Sequence, residues 1–277
     1  LESVEEVPFA AGASGEVFSG QYQGDEVALK RISLVGMTAA GRAKVLKAFS
    51  TELAIMVKLR SPRIVAVFGV VTTDASYLGL VVEMCSGGTL REALEAEDYA
   101  MAVDEAQRRR WLLDVALGMS YLYSKSVEHR DLKTLNVLLD TSRRRCKVSD
   151  FGLSQSESLN TAATQSTMGG GGAKGTPAYM APELLDSNTF TEETDVYTYA
   201  LVIWEVLTGE IPWRGLNPVQ VAMQILTKQA RPAVPEGAPA DLVTLMQRCW
   251  AHEPDARPKF VAIKAELLGS GPETPAK

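Results

Sequence analysis

Three polar residues in one short loop carry the strongest chemical signal in this chain. The stretch His129-Arg130-Asp131-Leu132-Lys133-Thr134-Leu135-Asn136-Val137-Leu138-Leu139 sets Asp131, Lys133 and Asn136 directly ahead of a predicted strand. A carboxylate and an ammonium on the same side of such a loop suit a hydroxyl nucleophile and a phosphate. The Asn136 amide oxygen is a hard ligand suited to Mg²⁺. The next strand ends in Val148-Ser149-Asp150-Phe151-Gly152, which supplies a second carboxylate. Asp131 and Asp150 on adjacent loops have the makings of a base beside a metal site. A charged surface loop is the plainer alternative, and the flanking strands make it less natural.

Two further features bear on phosphate chemistry. Ala10-Ala11-Gly12-Ala13-Ser14-Gly15-Glu16-Val17 is a run of small residues whose amides can approach phosphate oxygens. Alone it is weak evidence, and a hairpin that needs glycine is then the favoured reading. Val27-Ala28-Leu29-Lys30 ends an alternating strand in a lysine, which by itself could be an exposed strand end. Glu52 lies seven after Val45, three after Phe49 and four before Met56, on the apolar stripe of a predicted helix. A carboxylate there is costly unless it meets a cation, so pairing with Lys30 is expected; a solvated helix edge is the alternative.

The elements that must position these groups can be read from periodicity. The first third is mostly strand: a loop over Val7 to Gly20, strands over Asp25 to Ile32, Ile64 to Val71 and Tyr77 to Glu83, and a helix over Ala43 to Arg60. Gly87-Gly88 breaks the pattern where a hinge between lobes would sit. Helices then dominate, over Glu105 to Ser126, Asp195 to Leu207, Pro218 to Lys228, Asp241 to Trp250 and Lys259 to Leu268. Asp195 to Leu207 is apolar nearly all round and is expected at the centre of its lobe, with Gly209 past its end. Ser154 to Lys174, with four consecutive glycines from Gly169, is expected to be a mobile loop, and 269–277 a disordered tail.

Bulk properties exclude several classes. A net charge of −6 and one short basic run, Arg143 to Arg145, exclude the basic stripe of a nucleic-acid binder. Cys85, Cys146 and Cys249 match no zinc spacing and fit reduced thiols of a cytoplasmic protein. No apolar run reaches membrane-span length, and no signal peptide opens the chain. The first residue is Leu1, so a segment of a longer protein is expected.

Taken in order, the small-residue loop, Val-Ala-Leu-Lys, the helix glutamate, His-Arg-Asp-Leu-Lys-x-x-Asn, Asp-Phe-Gly and Ala181-Pro182-Glu183 resemble the eukaryotic protein kinases over about Val7 to Leu268. Gly175-Thr176-Pro177-Ala178-Tyr179-Met180, Asp195-Val196-Tyr197 and Arg248-Cys249-Trp250 look like the tyrosine-kinase-like group of serine/threonine kinases. The resemblance implies an α+β, bilobal protein kinase fold. A small antiparallel β-sheet N-lobe with one main helix (about 1–83) would join through a hinge (84–87) to a larger mainly α-helical C-lobe (88–268).

It also implies roles. ATP and Mg²⁺ are the implied cofactors. Lys30, held by Glu52, would contact the α- and β-phosphates, under a loop including Ala10, Gly12, Ser14 and Gly15. Asp150 and Asn136 would hold Mg²⁺. Asp131 would accept the substrate hydroxyl proton and Lys133 would steady the γ-phosphate. Val82 would be the gatekeeper, Glu83 and Cys85 would hydrogen-bond adenine through their backbones, and Val17, Ala28 and Leu138 would sandwich the ring. Lys133 with Thr176 implies transfer to Ser/Thr of protein substrates. Glu183 would pair with Arg257, and Asp195 would anchor the catalytic loop.

Three positions depart from the family pattern: Ala10 for a loop glycine, Glu128 for an apolar residue, and Ala200 for a glycine in a buried helix. Arg130 resembles the arginine that grips an activation-segment phosphate, here on Thr161, Thr164, Ser166 or Thr167, added by an upstream kinase or a second copy in trans. A loop rich in Ser/Thr only because it is flexible is the alternative. A pseudokinase scaffold, a tyrosine or dual-specificity kinase and a small-molecule kinase are the competing readings.

Overall fold

The computed structural model describes residues 1–269 except 13–14, 73, 75, 97–98, 100–102, 152–176 and 188, and not the side chains of Lys44, Ala48, Thr51, Glu52 or Pro177. The loop expected at Ser154 to Lys174, its candidate phosphorylation sites and the tail after Gly269 lie outside the described residues. Chain contacts divide the rest into two compact units, Leu1–Ser86 and Gly87–Phe151 with 177–269.

The first unit is an antiparallel sheet with one main helix. Its strands are β1 (Ser3–Val4), β2 (Ala10–Gly12), β3 (Gly15–Tyr22), β4 (Asp25–Ser33), β5 (Val67–Val71) and β6 (Tyr77–Glu83). They run in the order β1-β3-β4-β6-β5, with β2 hydrogen-bonded to β3. Apolar residues alternate across β3, β4 and β6, so one face gathers Phe18, Val27, Leu29 and Val81 into a core that Val4, Tyr22 and Val71 complete.

The run Val7 to Gly20 is largely the β2–β3 hairpin, the glycine-requiring reading of Ala10 to Val17, and strand covers more of it than the loop expected there, because small residues with no alternation conceal β2. Gly15 is obligatory there. Its φ is +120°, and a Cβ would lie 2.2 Å from the Arg31 carbonyl oxygen.

Helix α1 (Ala39–Met56) begins four residues before the expected Ala43, because the Thr38 hydroxyl accepts from the Gly41 N–H at 3.1 Å and fixes the start. Val45, Phe49 and Met56 are buried as the stripe requires, while Leu53 and Val57 are only half-buried.

The second unit is mainly helical. A capping box between Thr89 and Glu92 starts α2 (Leu90–Glu95), a helix too short for periodicity to reveal. Helix α3 (Glu105–Ser124) buries Leu112, Val115, Met119 and Leu122 completely. Two short strands, β7 (Val137–Leu139) and β8 (Cys146–Val148), pair antiparallel. The helices α4 (Pro182–Ser187), α5 (Glu192–Thr208), α6 (Pro218–Lys228), α7 (Ala240–Cys249) and α8 (Phe260–Gly269) follow.

Every residue of α5 from Thr194 to Val206 is buried, so this helix is the axis of its unit, and Gly209 ends it at φ +76°. Phe260 of α8 stacks on Tyr123 of α3 and meets Tyr199 of α5 edge-on at 5.6 Å, which ties these helices together. The α+β class is as the resemblance implies.

Candidate active site

In the first unit the register fixes which side chains share a face. Val17 pairs with Lys30, Lys30 with Leu80, and Ala28 with Val82. Val17, Ala28, Lys30, Leu80 and Val82 therefore lie together on the face opposite the Phe18–Leu29 core. Ala28 and Lys30 are 6% and 5% exposed, so this lysine is not a solvated strand end. The side chain of Glu52 and residues 13–14, with Ser14, lie outside the described residues, as does Thr176.

Ala10 and Gly12 stand on β2, paired with Val17 and Gly15 of β3. At the end of β6, Glu83 is held at both ends: its N–H donates to the Ala66 carbonyl at 2.9 Å, and its carboxylate accepts from the Ala66 N–H at 3.2 Å. Cys85 is half-buried two residues on.

In the second unit the loop before β7 closes on itself. Asp131 Oδ2 accepts from Lys133 Nζ at 2.7 Å and from Asn136 Nδ2 at 2.9 Å, and Nδ2 also donates to the Asp131 carbonyl at 2.7 Å. These bonds commit the Asn136 nitrogen and leave Oδ1 of both Asp131 and Asn136 without a hydrogen bond among the described residues. A single turn of 3₁₀ helix, Thr134–Asn136, makes the fold-back possible.

The β7–β8 ladder then brings Asp150 beside Asn136. Val137 pairs with Val148, and the Ser149 N–H and hydroxyl both donate to the Asn136 carbonyl, at 2.9 and 3.0 Å. Asp150 follows at φ +58°, an uncommon value for a non-glycine residue and one that clusters at functional sites. Leu138 is half-buried on β7, and the strand is pinned at its other end by Leu139 N–H to the Gly88 carbonyl at 2.8 Å.

Two buried carboxylates of α5 hold this loop. Asp195, fully buried, accepts from the His129 N–H at 2.8 Å, the Arg130 N–H at 3.1 Å and the Tyr123 hydroxyl at 2.6 Å. Burial drives its pKa up, and these donors oppose the rise.

Glu205, also fully buried, accepts from Thr134 Oγ1 at 2.7 Å, Tyr179 Oη at 2.9 Å and Arg91 Nη1 at 3.0 Å. Burial beside these carboxylates pushes the Tyr123 and Tyr179 phenols far above their usual range, so both stay protonated as donors. Glu183 of α4 meets Arg257 through two parallel bonds of 2.7 and 2.9 Å.

Sequence reading missed Arg91, Glu205 and Tyr179 as a network. The available signal was Glu205, a carboxylate set in the otherwise apolar run Ala200 to Leu207.

The donor set suits a small hard cation. Among the described residues no three His, Cys, Asp or Glu side chains cluster into a metal cage. Asn136 and Asp150 instead offer oxygens from adjacent positions, the sparse protein share typical of Mg²⁺ sites completed by phosphates and water.

Comparison with known proteins gives the family. The family described as protein tyrosine and serine/threonine kinase matches residues 5–267. The chain is 37% identical over 252 residues to a probable serine/threonine-protein kinase of Dictyostelium discoideum, covering 91% of this chain and 26% of that protein.

It is 35% identical over 260 residues to the serine/threonine/tyrosine-protein kinase HT1 of Arabidopsis thaliana, covering 94% and 64% of the two chains. It is also 35% identical over 255 residues to the Arabidopsis serine/threonine-protein kinase CTR1, covering 91% and 30%. The chain thus spans between about a quarter and two thirds of the length of these relatives. These relatives accord with the tyrosine-kinase-like resemblance. The chain belongs to the protein tyrosine and serine/threonine kinase family.

Proposed function

We propose that this chain transfers the γ-phosphoryl group of ATP, with Mg²⁺, to serine and threonine hydroxyls of protein substrates. The observation that carries the reading is the Asp131 carboxylate. One oxygen is fixed by Lys133 and Asn136 while the other has no hydrogen bond among the described residues, so it is a positioned acceptor for a hydroxyl proton.

Asp131 takes that proton as the substrate oxygen bonds to phosphorus and the bond to the ADP oxygen breaks. Lys133, already beside Asp131, places positive charge where transferred phosphate oxygens would gather. Asn136 and Asp150 would hold Mg²⁺, which supplies neutralisation of phosphate charge when bound.

Lys30, with Glu52 as its partner, serves the α- and β-phosphates. Val17, Ala28 and Val82, which share its sheet face, would offer apolar surface to the adenine ring, as would Leu138 by the family resemblance, and the backbones of Glu83 and Cys85 would give it polar contacts. Thr176 joins Lys133 in favouring Ser/Thr. The three widely spaced cysteines, all held as thiols, support a reducing, cytoplasmic setting. Among the described residues no helix is long and apolar enough to cross a membrane.

Phosphorylation at Thr161, Thr164, Ser166 or Thr167, by an upstream kinase or by a second copy in trans, supplies an anion for Arg130. Alanine at all four positions then lowers activity, and unchanged activity would sink this part.

The pseudokinase reading is not favoured, because the sequence keeps Lys30, Asp131, Asn136 and Asp150. Transfer of labelled γ-phosphate to a generic basic protein, followed by phosphoamino-acid analysis, tests the proposal. Phosphoserine and phosphothreonine are expected; phosphotyrosine alone, or saturable Mg-ATP binding with no transfer under any phosphorylation state, contradicts it.

A further inference from the structure

Glu128 occupies a position where the kinase pattern has an apolar residue, and the structure gives its carboxylate a specific partner. Glu128 Oε2 lies 2.8 Å from Arg130 Nη2 and accepts from Arg130 Nε at 2.9 Å. The two side chains are 34% and 30% exposed, so the pair is neither fully desolvated nor freely solvated. The Phe190 ring lies under the same guanidinium, 5.7 Å from its carbon. Between the two partners stands His129, whose side chain is completely buried.

Arg130 has φ +70°, in the left-handed region that arginine adopts only when its surroundings over-determine it. Two carboxylates do so here. Asp195 binds the Arg130 N–H from α5, and Glu128 binds the guanidinium from the loop itself. The residue so constrained is the immediate neighbour of Asp131.

We propose that Glu128 is a positioning residue for Asp131, acting as the built-in counter-charge of Arg130, so that the catalytic loop is set before any phosphate is added to the chain. The inference rests on the kinase reading above. A phosphate arrives only by modification, whereas a glutamate two residues from the arginine is present from synthesis. An apolar residue in its place would take this fixed anion away from the guanidinium. With Glu128 present, the chain keeps activity in its unmodified state and gains less from modification than it would without this glutamate.

The test uses phosphatase-treated protein and the variants Glu128→Gln, Glu128→Val and Glu128→Asp. Glu128→Gln keeps size and polarity, and its melting temperature checks folding. The expected result is a kcat roughly three- to tenfold lower for Gln and Val, with KM for Mg-ATP within about twofold, the scale of a partly exposed charge-assisted pair. Glu128→Asp recovers most of kcat.

The Arg130 Nε–Hε resonance is recorded in parallel, in wild type and in Glu128→Gln, and a shift is expected. Active wild type with an equally active Glu128→Gln overturns the proposal and leaves the kinase reading intact. Wild type with no transfer in any phosphorylation state overturns the kinase reading, and an Nε–Hε resonance unmoved by Glu128→Gln overturns the pair itself.

Discussion

The Thr134 hydroxyl, inside the loop that carries Asp131, donates at 2.7 Å to Glu205, a carboxylate with no exposed surface at the core of α5. The same oxygen of Glu205 receives Arg91 Nη1 at 3.0 Å, and the Arg91 side chain is only 6% exposed. Residues spread from position 91 to position 205 thus fix the loop through one buried charge.

Removing that charge leaves Arg91 buried beside an uncompensated hole. Glu205→Ala is expected to lower unfolding free energy by about 3–5 kcal/mol, the cost of breaking a buried pair by deleting one partner. Urea denaturation checks the value. Glu205→Gln keeps the shape and is expected to cost less.

The same residue carries a pH signature. Burial raises the Glu205 pKa, opposed by Thr134, Tyr179 and Arg91. A carboxyl with a raised folded-state pKa contributes stability that is fully present below its unfolded value, about 4.3. That contribution is lost as pH rises through the folded value. Wild type is therefore expected to lose more stability than Glu205→Gln as pH climbs from about 4.3 through the folded value. Parallel pH profiles for the two proteins would contradict the assignment.

Charge pairs elsewhere divide by burial. Arg257 has a fully buried side chain on Glu183, so Glu183→Gln is expected to destabilise by several kcal/mol, about 3 or more. Arg109 meets Asp241 at 2.6 Å, but Asp241 is 45% exposed, so Asp241→Asn is expected to cost under about 1 kcal/mol. Comparable losses in the two variants, measured by thermal melts, would show that burial is not what separates them.

Thiol labelling reads the proposed nucleotide site directly. Cys146 and Cys249 are fully buried, and burial also pushes the Cys249 thiol far up, which suppresses its thiolate. Cys85 is half-buried. N-ethylmaleimide followed by mass spectrometry is expected to mark Cys85 first, and saturating Mg-ATP to slow that labelling. Labelling of Cys85 indifferent to Mg-ATP would count against its place beside adenine.

Much of this was legible in the sequence, for physical reasons that can be named. The α5 helix announces itself because thirteen consecutive residues, Thr194 to Val206, need burial all round. The strands over Asp25 and Tyr77 appear because β-branched and apolar residues cluster between turn signals.

The β2–β3 hairpin was legible only as one reading of the glycine-containing run, since Ala10-Ala11-Gly12 carries no alternation and its register comes from backbone pairing alone. The start of α1 was misplaced because one hydroxyl, Thr38, decides it. Glu205 read as part of an apolar helix; its partners at positions 91, 134 and 179 become neighbours only through tertiary packing. Asp131, Asn136 and Asp150 could be singled out as candidates because their chemistry is packed into two short, adjacent loops.

The most direct measurement compares Asp131→Asn with wild type in single-turnover transfer from Mg-ATP to a protein substrate. Asparagine keeps the shape of the site but takes up no proton, so transfer is expected to fall by about 10² or more while Mg-ATP binding persists. Transfer at the wild-type rate in Asp131→Asn would contradict the account at its centre.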